Sequence, residues 1–240
     1  MQVVILCGGM GTRLRDLTRD KPKSLVPVAG RPFVEHQLEL LRSHGLTDVL
    51  LCVGFRADMI QDHLGDGARF GMRLRYAVEP ETRLLGTGGA LIHAWTGLDD
   101  RFLVLYGDSY LPTDYRAFIR AFDDADVSAM MSVFRNAGRW DVSNVRISGG
   151  RVTFYSKATR PGEADYIDYG LTALHKPALA AYRTMPMPLD LAVIYGDLVA
   201  AGRMAAFEVY DRFYEIGKPE GWAELDSWMR RRSENSDKVL

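Results

Sequence analysis

The sequence predicts an α/β protein built as one domain on a Rossmann-like, doubly wound, mostly parallel sheet. Three observations carry this. Short apolar runs alternate with stretches of helical spacing through the first half of the chain. The first run, Val3-Val4-Ile5-Leu6, opens directly into glycines, the pattern of a buried strand feeding a loop. The 240 residues, 47% hydrophobic and 25% charged, suit one large globular domain.

Each element has its own warrant. Pro32 suits a helix's first turn, and Phe33, Val34, Leu38 and Leu41 continue at helical spacing to the stop at Gly45. Residues 48–54 form a second buried strand and 57–64 a short helix with Ile60 and Leu64 on one face. A third strand spans 72–78, a helix 89–95 and a fourth strand 102–106, ending in Gly107-Asp108-Ser109. In the second half, 115–122 reads as helix and 127–134 as strand. Runs 142–147 and 152–155 flank the hairpin signal Ser148-Gly149-Gly150-Arg151. A strand over 166–174, helices over 177–183 and 189–201, a strand over 204–210 and an amphipathic helix over 220–232 complete the domain, 1–232. Residues 233–240 read as a frayed tail. Within that domain, 1–135 and 136–232 read as two halves.

A formal net charge of −1 argues against broad nucleic-acid or anionic-membrane binding, though not against a local basic pocket. No run approaches the roughly eighteen apolar residues of a membrane span, and Met1-Gln2 leads straight into a strand without a basic leader. The cytoplasm is the expected compartment. Cys7 and Cys52 both lie in apolar runs and read as reduced core residues. The five histidines are scattered without metal spacing, and Ser109 has no evident His partner for a triad.

In open α/β sheets ligands sit beyond the carboxyl ends of the strands, where Gly8 and Asp108 both fall. Leu6 closes the first strand. Gly8, Gly9 and Gly11 then let backbone approach a ligand with N–H groups exposed, and Arg13, Lys21 and Lys23 add cations. This combination suits a polyphosphate. A Walker loop is excluded because no Lys follows Gly11, and a dinucleotide fingerprint because Leu14 stands where a small residue is required.

The longer string Gly8-Gly9-Met10-Gly11-Thr12-Arg13-Leu14, followed by Lys23 in Pro22-Lys23-Ser24-Leu25-Val26-Pro27-Val28, resembles the signature of sugar-1-phosphate nucleotidylyltransferases. That resemblance implies the nucleotide-diphospho-sugar transferase type of fold, with 1–135 as its nucleotide-binding half and 136–232 as its sugar-phosphate half. It implies that the glycine loop, Thr12 included, wraps a nucleoside triphosphate whose phosphates Arg13 and Lys23 hold. Ser24 stands where the family usually has Pro. Leu85-Gly86-Thr87-Gly88-Gly89-Ala90-Leu91 resembles the family's second glycine segment, in which Gly86 and Gly88 would meet base and ribose and Gly89 would leave room for the sugar. The same three glycines also read as a tight strand-to-helix turn. Glu79, at a strand end, could accept hydrogen bonds from guanine N1–H and N2–H, or be a solvated loop residue.

An Asp at a strand end often caps a turn; the resemblance instead makes Asp108 a magnesium ligand. The second carboxylate would be Glu215 in Phe213-Tyr214-Glu215-Ile216-Gly217-Lys218-Pro219-Glu220, where the family usually has Asp and, at Lys218, Thr. Magnesium takes oxygen ligands, commonly one or two carboxylates with substrate phosphates. Lys157 matches the sugar-phosphate lysine of the family, with Ser156 and Ala158 replacing its usual Glu and Pro; a Lys at a strand end otherwise reads as solvated. Asp168 and Gly170, in Tyr166-Ile167-Asp168-Tyr169-Gly170-Leu171, resemble the sugar-contacting strand, or serve sheet geometry.

The expected activity is transfer of a nucleotidyl group from a nucleoside triphosphate to a sugar 1-phosphate, releasing pyrophosphate, with Mg²⁺ as cofactor. Leu85–Ala90 is closest to guanylyltransferases acting on mannose or manno-heptose 1-phosphate; uridylyl and thymidylyl transfer stay open. A glycosyltransferase would normally present Asp-x-Asp after the central strand, which Asp108-Ser109-Tyr110 does not. A non-catalytic nucleotide-sugar-binding module is the remaining rival, supported by Glu215 and the altered surroundings of Lys157. Where the chain self-associates, a homodimer is expected.

Overall fold

The computed structural model describes residues 1–9, 11–80 and 85–236. Met10 of the first glycine string, the side chain of Thr12 and the tail beyond Ser236 lie outside the described residues. The strands are β1 (Gln2–Cys7), β2 (Pro27–Val28), β3 (Arg31–Pro32), β4 (Asp48–Val53), β5 (Arg73–Val78), β6 (Arg101–Tyr106), β7 (Ser109–Tyr110), β8 (Ala129–Arg135), β9 (Val145–Ser148), β10 (Arg151–Tyr155), β11 (Tyr166–His175), β12 (Met204–Val209) and β13 (Tyr214–Glu215). The helices are α1 (Arg15–Thr18), α2 (Phe33–Ser43), α3 (Ala57–Leu64), α4 (Gly86–His93), α5 (Tyr115–Asp124), α6 (Leu191–Ala200) and α7 (Pro219–Ser236).

Nine strands form one sheet in the order β5-β4-β1-β6-β11-β8-β12-β10-β9. β1 runs parallel to both β4 and β6, and β4 parallel to β5. The chain leaves β1 toward β4 on one side and returns to β6 on the other, so the carboxyl ends of β1 and β6 flank a topological switch point. The parallel order breaks at β11, which is antiparallel to β6 and β8, and resumes between β8 and β12.

Strand periodicity divides the core. Val3, Ile5 and Cys7 face α2, α3 and α5 in one cluster, while Val4 faces α4 and α6 in the other. Both faces of β1 are therefore dry, which is why its sequence reads as a continuous apolar run. Cys7 and Cys52 are free and buried, and burial pushes the Cys7 thiol up to about 12. A third, smaller cluster packs α7 and β13 against β2, α2 and β7 through Val28, Phe33, Tyr110, Ile216, Leu225 and Met229.

Several boundaries differ from the sequence expectation. α4 begins at Gly86 rather than residue 89, because the carbonyl of Leu189 accepts the N–H groups of Gly88 and Gly89 and organises the first turn. β9 begins at Val145. The residues before it form a loop around buried Asn136, whose amide donates to the Asp141 carbonyl and the Ser143 hydroxyl. The expected helix over 177–183 is a 3₁₀ run, Lys176–Thr184. α6 starts at Leu191, capped by Asp190, and α7 continues through Ser236 instead of ending at residue 232.

Candidate active site

A cleft of about 290 Å³ opens at the carboxyl ends of β1 and β6. Of the residues singled out in the sequence, Leu6, Gly8, Gly9, Lys23, Glu79, Gly86 and Asp108 line it together, with Thr87 and Tyr106. They come from five separate stretches of chain. The switch point of the sheet accounts for their convergence.

The first glycine loop is built around Gly11. Its φ of +61° is open to glycine at little cost, and a Cβ there would press on Thr18 and Lys23. The Thr18 hydroxyl lies within hydrogen-bonding distance of both the Gly11 and Leu14 carbonyls, folding the loop back beneath the cleft. A Cβ on Gly9 would meet no atom within 4 Å among the described residues, so that side of the loop is clear of them. Arg13 lies exposed on the 3₁₀ turn Thr12–Leu14, and neither it nor Gly11 contributes to the described lining.

Lys23 follows Pro22 at the start of a second 3₁₀ turn, and its Nζ donates to Asp108 Oδ2 at 2.7 Å. Asp108 itself is held by sheet geometry. β7 pairs antiparallel with β13, placing Ser109 opposite Glu215, and the Ile216 amide donates to the Asp108 carbonyl. A Cβ on Gly217 would sit 3.7 Å from Asp108 Oδ2. The two-residue strands thus join carboxylates far apart in sequence. Glu215 is open to solvent, yet its carboxyl is pushed up to about 7, first by loss of water and then by the Asp108 charge.

This donor set fits a hard divalent ion. Two carboxylates that repel one another supply oxygen ligands, and substrate phosphates commonly supply the rest of a magnesium shell. Among the described residues no group of three or more His, Cys, Asp or Glu could hold a metal. A shell shared with substrate is therefore the arrangement these residues allow.

Glu79 is not a solvated loop residue. It is 7% exposed, and burial raises its carboxyl pKa above the usual range. Its Oε2 accepts the Leu85 amide at 3.4 Å, while Oε1 lies 2.7 Å from where a Gly8 Cβ would be. The carboxylate therefore spans the two glycine strings.

The second string is packed by protein. A Cβ on Gly86 would lie 2.4 Å from the Leu189 carbonyl oxygen, on Gly88 3.2 Å from the Asp190 carbonyl carbon, and on Gly89 2.6 Å from the Met187 sulfur. Gly86 reaches the cleft, while Gly88 and Gly89 lie outside its lining.

Lys157, Asp168 and Gly170 do not line this cleft but flank it. Gly170 occupies a bulge in β11 with φ +99°, and Asp168 Oδ1 accepts its amide. Burial pushes the Asp168 carboxyl up to about 6, against the Gly170 amide and the Lys157 charge. Lys157 pairs with Asp190 at 2.7 Å, a partner that sequence reasoning missed. The Asp before an apolar helical run was its available signal. Tyr106, Tyr155 and Tyr195 were also missed: Tyr155 and Tyr195 pack edge to face, and all three stand near Asp168.

The nucleotidyl transferase family model matches residues 2–139. The chain is 36% identical over 225 residues to a D-glycero-alpha-D-manno-heptose 1-phosphate guanylyltransferase of Campylobacter jejuni, covering 92% of this chain and 97% of that protein. It is 30% identical over 210 residues to a glucose-1-phosphate thymidylyltransferase of Streptomyces griseus, covering 85% of this chain and 58% of that longer protein. The crystal structure of HddC from Yersinia pseudotuberculosis, complexed with GMP-PN, aligns with a TM-score of 0.77 at 26% identity, over 95% of this chain and 99% of that one.

Proposed function

Since the chain belongs to the nucleotidyl transferase family and is a sugar-1-phosphate nucleotidylyltransferase, we propose that it transfers guanylyl from GTP to mannose or manno-heptose 1-phosphate. One observation carries the choice of base. Glu79 is a buried carboxylate in the cleft wall, where it can accept from two adjacent N–H donors. Guanine presents such a pair at N1 and N2. The likeness to a manno-heptose 1-phosphate guanylyltransferase supports both base and sugar.

A sugar 1-phosphate is already ionised at neutral pH, so its oxygen attacks the α-phosphorus without a general base, and pyrophosphate leaves in line. The protein's work is alignment and cancellation of charge. Leu6, Gly8, Gly9 and Gly11, with Thr12, wrap the nucleotide, and Gly86 closes the base and ribose side, with Gly88 packed behind it against Leu189 and Asp190. Arg13 and Lys23 screen the triphosphate. Lys157, Asp168 and Gly170 serve the sugar phosphate, while Gly89, whose Cβ space is filled by Met187, supports the wall instead of leaving room for the sugar. Asp108 and Glu215 would hold Mg²⁺, which when bound supplies further neutralisation of the phosphate oxygens. Lys23 must then share Asp108 with the metal or turn to the phosphates.

No described helix is long and apolar enough to cross a membrane. A cytoplasmic location, in keeping with two free buried thiols, and a homodimeric assembly belong to the same proposal.

The test is pyrophosphate release with magnesium, offering each nucleoside triphosphate in turn to a pool of hexose and heptose 1-phosphates. Release with GTP alone, lost in Asp108→Ala, is the expected result. Equal release with UTP or dTTP would overturn the choice of base.

A further inference from the structure

The segment that fills the second glycine string ends in Asp190, and Asp190 carries more than a helix cap requires. Its Oδ1 accepts the Ala192 amide at 2.9 Å, which is the cap of α6. The same oxygen accepts the Thr87 hydroxyl at 3.2 Å, and Thr87 Oγ1 in turn accepts the Leu191 amide at 2.9 Å. Both Asp190 oxygens then accept from Lys157 Nζ, at 2.7 and 2.8 Å. Partial burial works to raise the Asp190 carboxyl pKa. The Lys157 and Ala192 hydrogen bonds, the Lys157 charge and Thr87 outweigh it, holding the group below the usual carboxylate range.

The anchor is stiff. Leu189 exchanges backbone hydrogen bonds with Leu85, Gly88 and Gly89, so the residue before Asp190 is fixed to the start of α4. Lysine is the opposite: a flexible four-carbon stem with three rotatable donors. Two contacts to a fixed carboxylate order that stem and leave the third donor for another oxygen. Thr87, which lines the cleft, ties the pair to its wall.

We propose that Asp190 is a positioning residue for Lys157, holding its ammonium at the sugar end of the cleft with one N–H directed to the phosphate of the sugar 1-phosphate. This rests on Lys157 being the sugar-phosphate cation. Both side chains are about half exposed, 49% and 50%, so the pair adds little to fold stability, and its removal is felt in substrate binding.

Asp190→Asn separates the two roles, because Asn caps a helix as well as Asp and keeps the acceptor for the Ala192 amide. In the full chain, with GTP and whichever of mannose 1-phosphate or manno-heptose 1-phosphate turns over, KM for the sugar phosphate rises about three- to fivefold. KM for GTP and Tm stay unchanged. Lys157→Met alone raises the same KM about tenfold or more, and adding Asp190→Asn to it changes nothing further. Asp190→Ser, also a capping residue, reproduces the result should the Asn variant fold poorly. An effect of Lys157→Met without one from Asp190→Asn overturns the positioning role. So does a joint shift of both KM values and Tm in Asp190→Asn, the mark of a cap alone. No effect from Lys157→Met sinks the reading of Lys157 and Asp190 with it.

Discussion

Residues 8–11 and 86–89 each place three glycines in four positions beside the same cleft. In the first string a Cβ on Gly9 would meet no atom of the described residues within 4 Å. In the second, the space is taken by residues 187–190 of the chain itself, and two amides at the start of α4 bond Leu189 instead of standing free. One string is clear on its Gly9 side, although Gly8 and Gly11 are crowded by Glu79, Thr18 and Lys23. The other makes room for a strap that carries Asp190 to Lys157. Glycine density by itself marks close approach, and only the partner distinguishes recognition from architecture.

The contrast is broken most directly by adding one methyl group to each string. Gly86→Ala meets the Leu189 carbonyl and a φ of +76°, so it should destabilise by about 2–5 kcal/mol and lower Tm by roughly 5–15 °C. Gly9→Ala should cost less than about 0.5 kcal/mol of stability while weakening the KM for nucleotide. Thermal melts of both variants decide it; equal losses would remove the distinction.

A smaller effect sharpens the comparison at Glu79, the residue that touches both strings. Glu79→Gln replaces an acceptor with a donor facing the base edge. KM for GTP should rise about tenfold while KM for UTP changes less than about twofold. Equal changes would take guanine recognition away from this residue.

The smallest effect lies on the sugar side. The folded carboxyl of Asp168, pushed up to about 6 by burial, lies above its ordinary value of 3.8, so the native state binds the proton more tightly than the unfolded chain. Stability therefore falls as pH rises between about 4 and 6. Asp168→Asn, which keeps an acceptor for the Gly170 amide, should raise Tm by about 2–4 °C at pH 8, and the gain should vanish near pH 4. A gain independent of pH would show that ionisation of Asp168 is not its origin.

Much of this architecture was legible because it is local. Apolar runs placed β1, β4 and β6 within a residue or so, and the Gly107-Asp108-Ser109 string placed Asp108 at a strand end. The direction of β11 was not legible: a buried run looks the same read either way, and only its long connections decide parallel from antiparallel. Residues 189 and 190 read in sequence as the head of a helix, because the contact of Leu189 with Gly86 spans about a hundred residues. Sequence alone does not decide between base reader and solvated loop for Glu79, since a Glu at a strand end carries no local sign of burial.

The pairing of β7 with β13 has a consequence for the order of the chain. All nine strands of the main sheet are complete by Val209, before Glu215, and α7 comes later still to brace the β13 side through Ile216, Leu225 and Met229. In chain order, then, the strands that flank the cleft precede Glu215. The main sheet is thus laid down by residues that precede β13 in the chain, and Glu215 comes to stand beside Asp108 only through the later pairing of residues 214–215 with 109–110.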